Sequence, residues 1–301
     1  MSVEDTTRQQ LEGVFAPICT PFSASEEVDL GALRANLARY AMTRLRGYLV
    51  LGSNGENRSL SEDERRLVLA EVVRNRAPHQ VVIAGAAYDG QREAERFVAA
   101  AADAGADFGL VLSPGYFRKQ MTDDILYRYF TTLADASPIP LLVYNAPGFC
   151  GITLSAELIG RLATHPRIVG MKDSASSGIE QFLPLQSPDF QVLAGSANFL
   201  FPAMMGGSAG GTVSLANSFP DAAVQLFDYG AARDAEHGVP YQAWITRVNQ
   251  AVSGSYGVAG VKAAMDLAGL VGGMPRRPLL PLAPGQVASL RETLRQEGLL
   301  T

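Results

Sequence analysis

Cysteine, histidine, tryptophan and lysine are all scarce in this chain. Its 301 residues hold two cysteines, three histidines, one tryptophan and three lysines: Lys119, Lys172 and Lys262. Cys19 and Cys150 form no CxxC pair, which excludes a disulfide framework and points to a reducing, cytoplasmic setting. His79, His165 and His237 show no HExxH spacing, so no protein-held zinc centre is expected. No GxGxxG follows the first apolar run and there is no Walker A sequence, which removes the usual loops for dinucleotides and nucleoside triphosphates. Positive charge is short as well. A net charge of -5 and a pI near 5.3 leave no basic stripe for phosphates, so no nucleic-acid partner is expected. The most apolar stretch, Phe199 to Ala216, is broken by Pro202 and the Gly206–Gly211 cluster. It reads as buried helix, turn and strand rather than a membrane span.

What is present is core material: 47% of residues are hydrophobic against 18% charged. Short, nearly continuous apolar runs recur at Val14–Ile18, Tyr48–Leu51, Val81–Ala84, Phe108–Leu112, Leu141–Tyr144, Ile168–Met171, Val192–Ala194 and Thr212–Leu215. Continuous apolarity suits strands buried on both faces, and the gaps are long enough for crossover helices. Leu33, Leu37, Tyr40 and Ala41 make one helical stripe. Ser61 with Glu64 and Ser177 with Glu180 read as capping boxes, and Thr122 as an N-cap. After the eighth run the pattern is helical only, over Asp221–Ala232, Asp234–Val252, Val258–Leu270 and Pro284–Glu297. The α/β class expected is a (β/α)8 TIM barrel with a C-terminal helical extension. Residues 1–10 read as a loose polar tail, 11–232 as the barrel and 233–301 as a helical subdomain. A doubly wound sheet fits the near-even spacing less well.

In such a barrel, chemistry gathers where the strands end. The sixth run ends in Lys172. A lysine there either flanks its strand and snorkels to water, or is stripped of water and offers a free amine as a nucleophile. The second run leads into Gly52-Ser53-Asn54-Gly55-Glu56, a turn before an expected helix that can present hydroxyl and N–H groups to a carboxylate. The fourth is followed by Pro114-Gly115-Tyr116-Phe117, the fifth by Tyr144-Asn145-Ala146-Pro147, and the seventh by Gly195-Ser196-Ala197-Asn198. Tyr144 can shuttle protons or simply cap the core. Gly206–Gly210 satisfies GxSxG, but helix precedes strand there, the wrong order for a nucleophile elbow. Glu56 serves either as an acid or base or as a partner of nearby N–H groups, and Cys150 reads as a buried thiol.

The turn Gly52–Glu56, the Tyr144–Pro147 strand end and Gly170-Met171-Lys172-Asp173, in that order, resemble the dihydrodipicolinate synthase / N-acetylneuraminate lyase superfamily of class I pyruvate-type aldolases. The resemblance covers roughly residues 12 to 300. It implies that Lys172 forms the Schiff base, Tyr144 moves protons, and Ser53 and Asn54 hold the carboxylate of a 2-oxo acid. It implies that Tyr116 reaches a neighbouring subunit's site in a homotetramer of paired dimers. Gly195, Ser196 and Thr212 would line the imine pocket, and neither metal nor organic cofactor is needed. Where the lysine-biosynthesis synthases carry an arginine this chain has Phe149, which cannot replace a bidentate guanidinium. The Ser-Asn turn, Met171–Ser174, Val192–Ala197 and Gly257–Lys262 are most similar to the 4-hydroxy-2-oxoglutarate aldolase branch, with pyruvate and glyoxylate as products. Aldolases or dehydratases of 2-keto-3-deoxy sugar acids, aromatic hydratase-aldolases, dihydrodipicolinate synthase and a catalytically silent binding barrel remain open. Arg58 or Arg118 would hold a distal carboxylate.

Overall fold

The computed structural model describes residues 9–300, so most of the expected tail, residues 1–8, lies outside the described part. Gln9 and Gln10, assigned to that tail from sequence, belong to a helical turn over 9–11, and Arg46 donates to the Gln10 carbonyl at 3.0 Å. The chain then runs β1 (Gly13–Pro17), α1 (Leu30–Tyr40), β2 (Gly47–Val50), α2 (Glu62–Asn75), β3 (Val81–Ala86), α3 (Gln91–Asp103), β4 (Phe108–Leu112), α4 (Asp123–Ala136), β5 (Leu141–Asn145), α5 (Ala156–Leu162), β6 (Ile168–Asp173), β7 (Gln191–Ala194), α6 (Leu200–Met205), β8 (Gly210–Thr212) and α7 (Pro220–Ala231). Each strand pairs in parallel with the next, and β8 closes on β1. This is a (β/α)8 barrel. Beyond it lie α8 (Ala235–Asn249), α9 (Ser255–Leu267) and α10 (Pro284–Gln296).

Every strand residue is buried, which is why the strands read as unbroken apolar runs. Helix starts follow local chemistry. The Ser61 hydroxyl accepts from Glu64 N–H while the Glu64 carboxylate accepts from Ser61 N–H, a complete capping box. Thr122 Oγ1 caps α4 through Ile125 N–H.

Three expectations need correction. No α-helix follows β6. Ser177 caps nothing; Gly178 takes a φ of +101° and two 3-10 turns, Ile179–Gln181 and Leu183–Leu185, replace the helix. Pro184 and Pro188 deny that stretch the N–H groups a longer helix needs. β8 is Gly210–Thr212 rather than Thr212–Leu215, because a strand that opens on two glycines has no side chains to announce it. β6 continues through Lys172 and Asp173, so the lysine is a strand residue and not a flank.

An ion-pair lattice ties the segment after α9 to the barrel. Arg276 donates to both carboxylate oxygens of Glu64 (2.6 and 2.9 Å) and to the Ser59 carbonyl (2.7 Å). The Arg276 guanidinium holds the Glu64 carboxyl down at about 2, against an ordinary 4.5. A depressed carboxyl stabilises the fold above its unfolded value, and that stability is lost as pH falls from 4.5 towards 2. Urea titrations across this window should show an acid-induced loss about 2 kcal/mol smaller in Arg276→Met than in the native chain. Equal losses would show that the pair does not drive acid sensitivity.

Candidate active site

β5 and β6 pair with Tyr144 opposite Lys172 and Asn145 opposite Asp173. Alternation along a strand sends each pair to its own face. On one face the Lys172 amine donates to the Tyr144 hydroxyl at 3.4 Å and sits 4.5 Å from the centre of its ring. Both side chains are buried, at 5% and 7% exposure. On the other face Asn145 Nδ2 donates to Asp173 Oδ1 at 2.7 Å, and Asn145 Oδ1 accepts from Leu154 N–H at 3.0 Å. Burial pushes the Asp173 carboxyl up from its ordinary range. This bond locks the two strands in register, so the residues that sequence reading took only as motif neighbours brace the lysine and the tyrosine.

Tyr144 forms part of the wall of a cavity of about 520 Å³. Ser53, Asn54, Arg58, Phe149 and Ser214 line it too. The turn carrying Ser53 and Asn54 is tightly held. Gly55 N–H donates to the Gly52 carbonyl and Glu56 N–H to the Ser53 carbonyl, both at 3.1 Å. No backbone hydrogen bond among the described residues engages the N–H groups of Ser53 or Asn54, which leaves them for a ligand. Leu51 and Glu56, at φ of +62° and +53°, bracket the turn in left-handed backbone, a strain of about 1 kcal/mol each that the surroundings sustain. The turn does not open a helix, as sequence suggested. A 3-10 turn, Asn57–Ser59, intervenes before α2. Asn54 Nδ2 donates to Ser214 Oγ at 2.8 Å, a partner 160 residues away that no local pattern announces.

The remaining expected residues divide between the neighbourhood of Lys172 and the loops. Gly195 permits close approach: a Cβ there would lie 2.0 Å from Ser174 Oγ and 2.4 Å from the Asp173 carbonyl oxygen. Gly195 N–H donates to that carbonyl at 2.7 Å, seating the end of β7 beside Lys172. Thr212, buried at the end of β8, and Ser196, whose hydroxyl accepts from Asn198 N–H, do not line the cavity; nor do Lys172 and Gly195 themselves. Tyr116 is 80% exposed and packs edge-on against Phe117, away from its own chain's cavity. Asp89 fixes its loop, accepting from Gly115 and Tyr116 N–H at 2.7 and 3.0 Å and reaching Arg58 at 3.5 Å. Arg118 packs against Gly151, outside the cavity.

Glu56 resolves as a structural anion. Its carboxylate meets the Lys262 amine at 2.5 Å and accepts from Arg276 N–H at 2.8 Å. Ser208 of the GxSxG sequence sits 2.7 and 2.9 Å from the Val192 and Gly210 carbonyls, in a buried turn between α6 and β8. Burial raises the Cys150 thiol above its ordinary value, as expected of an inert core cysteine. Among the described residues no cluster of three His, Cys, Asp or Glu side chains has metal-holding geometry, and no helix is long and apolar enough to cross a membrane.

The profile of the dihydrodipicolinate synthetase family matches residues 10–297. A probable mitochondrial 4-hydroxy-2-oxoglutarate aldolase of Emericella nidulans is 32% identical over 297 residues, covering 96% of each chain. A 4-hydroxy-tetrahydrodipicolinate synthase of Exiguobacterium is 30% identical, with 94% of this chain and 97% of that one covered. An L-threo-3-deoxy-hexylosonate aldolase of Aspergillus niger is also 30% identical, with 94% of each covered. Among solved structures, an E. coli K12 prophage protein of the dihydrodipicolinic acid synthase family, in complex with pyruvate, superposes with a TM-score of 0.89 at 25% identity, over 96% of this chain and 99% of that one. The chain belongs to the dihydrodipicolinate synthetase family and is a carbon–carbon lyase.

Proposed function

We propose that this lyase is a class I aldolase that cleaves a 4-hydroxy-2-oxo acid, such as 4-hydroxy-2-oxoglutarate, to pyruvate and an aldehyde such as glyoxylate. The observation that carries the reading is the buried Lys172–Tyr144 pair, 3.4 Å apart, with Tyr144 on the wall of a cavity that also receives the Ser53–Asn54 turn. The substrate carboxylate sits against the Ser53 hydroxyl and the free N–H groups of the turn. The neutral Lys172 amine attacks C2, and Tyr144 relays a proton to the departing oxygen, which leaves as water. The protonated imine that results is an electron sink. Tyr144, now short of its proton, takes one from the C4 hydroxyl. The C3–C4 bond breaks, its electron pair enters the imine to give an enamine, and the aldehyde departs. Protonation at C3 and hydrolysis release pyruvate and regenerate the amine.

Phe149 on the cavity wall supports an aldolase over the synthase relatives, since no guanidinium occupies that place. The aldolase names of two relatives support the same choice. The exposed Tyr116 suits a residue that completes the site of a second copy, in a homotetramer built as a dimer of dimers. Two buried thiols suit a reducing compartment such as the cytoplasm.

Tyr144→Phe should keep the fold and lower kcat by about 10²- to 10³-fold with KM changed far less, measured as pyruvate release, because it removes the relay and not the binding turn. Pyruvate release from 4-hydroxy-2-oxoglutarate, set against 2-keto-3-deoxy sugar acids, tests the substrate. Faster turnover of a sugar acid would move the assignment to that branch.

A further inference from the structure

Lys262 lies on α9, outside the barrel, yet only 1% of it is exposed. Its amine meets Glu56 at 2.5 Å and donates to the Thr20 carbonyl at 2.9 Å and the Met274 carbonyl at 2.7 Å. It also stands 4.6 Å from the centre of the Phe22 ring. Two of these contacts lead to the carboxylate-binding turn. Glu56 ends that turn. Thr20, whose carbonyl Lys262 holds, donates its own hydroxyl to the Gly55 carbonyl at 2.8 Å. A charge placed so deep is costly unless every bond it makes is ordered, so the arrangement has one geometry. The left-handed Glu56 backbone needs an external hold of this kind.

We propose that Lys262 is a positioning residue: through Glu56 and Thr20 it holds Ser53 and Asn54 where the carboxylate of the 2-oxo acid binds, so that the C-terminal helices set the affinity of the barrel's site. This rests on the reading of Ser53–Asn54 as carboxylate anchor and Lys172 as imine nucleophile. It concerns affinity for the carboxylate and not the chemical step.

The test compares two ketones trapped on the enzyme with borohydride: pyruvate, which carries the carboxylate, and acetone, which does not. The variants are Lys262→Met/Glu56→Gln, which neutralises both partners together so that neither charge is left buried alone, and Thr20→Val, which keeps shape and removes one hydroxyl. Half-maximal pyruvate trapping should need about 10- to 100-fold more ketone in the double variant and about 3- to 10-fold more in Thr20→Val. Acetone trapping should keep its concentration dependence in both, and saturating pyruvate should still modify the Lys172 peptide fully. If the double variant does not fold, Thr20→Val decides alone. Equal shifts for both ketones would mean general damage to the site, and no shift would mean the turn stands without the link that Lys262 makes to it, through both partners in the double variant or through Thr20 in Thr20→Val; either overturns the proposal. Failure of the native enzyme to trap pyruvate at Lys172, or of Ser53→Ala to weaken pyruvate trapping, would instead overturn the reading beneath it.

Discussion

Lys172→Ala is expected to cut release of pyruvate from 4-hydroxy-2-oxoglutarate by on the order of 10⁴-fold or more, while unfolding remains cooperative and the far-ultraviolet circular dichroism is unchanged. The size of the effect follows from the chemistry. Cleavage leaves an electron pair on C3, and without an imine that pair has nowhere to go. Neither other lysine is placed to substitute. Lys262 is committed to Glu56 and two carbonyls, and Lys119 lies in the turn Arg118–Gln120 after β4, whereas Lys172 is the lysine hydrogen-bonded to Tyr144 on the cavity wall. Lys172→Arg should be as inactive as alanine, because a guanidinium keeps its charge and has no free lone pair for attack. Partial activity in the arginine variant would mean that the cation polarises the ketone by charge alone.

Lys262→Ala should have the largest effect on stability. It removes one partner of an ion pair whose two side chains are 2% and 1% exposed and leaves the Glu56 carboxylate without its cation. Breaking such a pair costs about 3–5 kcal/mol, more than deleting most single core methyl groups. In a chain of this size a loss of that order lowers Tm by roughly 10 °C. Neutralising both partners should cost much less, since the desolvation penalty disappears with the charges. A single variant no less stable than the double would show that the pair adds nothing beyond its shape.

The two lysines show how far sequence could be read. Lys172 could be placed at a strand end because it follows an apolar run in a chain with eight such runs, and strand ends of a barrel share a rim; its role as nucleophile came chiefly from the family resemblance. The positions of Tyr144 and the Ser53–Asn54 turn were legible in the same way. Lys262 entered only as the end of the Gly257–Lys262 stretch of the resemblance, with no role attached; its contacts come from Glu56 and Thr20, far away in the chain. Ser214, bound to Asn54 across 160 residues, was equally silent. Local pattern misled where backbone, not side chains, does the work. The glycines of β8 hid a strand, and the Ser177–Glu180 spacing suggested a helix that Gly178 and two prolines forbid. Tyr116 could be placed on its loop, but its outward direction and 80% exposure are tertiary facts.

The proposed lyase chemistry turns on one amine, Lys172, which forms an imine with a 2-oxo acid. With only three lysines in the chain, the most direct measurement is to incubate the enzyme with pyruvate, reduce with borohydride and map the modified peptide by mass spectrometry. A single adduct is expected, on the peptide containing Lys172, with parallel loss of lyase activity. An unmodified chain, or an adduct on Lys119 or Lys262 with Lys172 untouched, would contradict it.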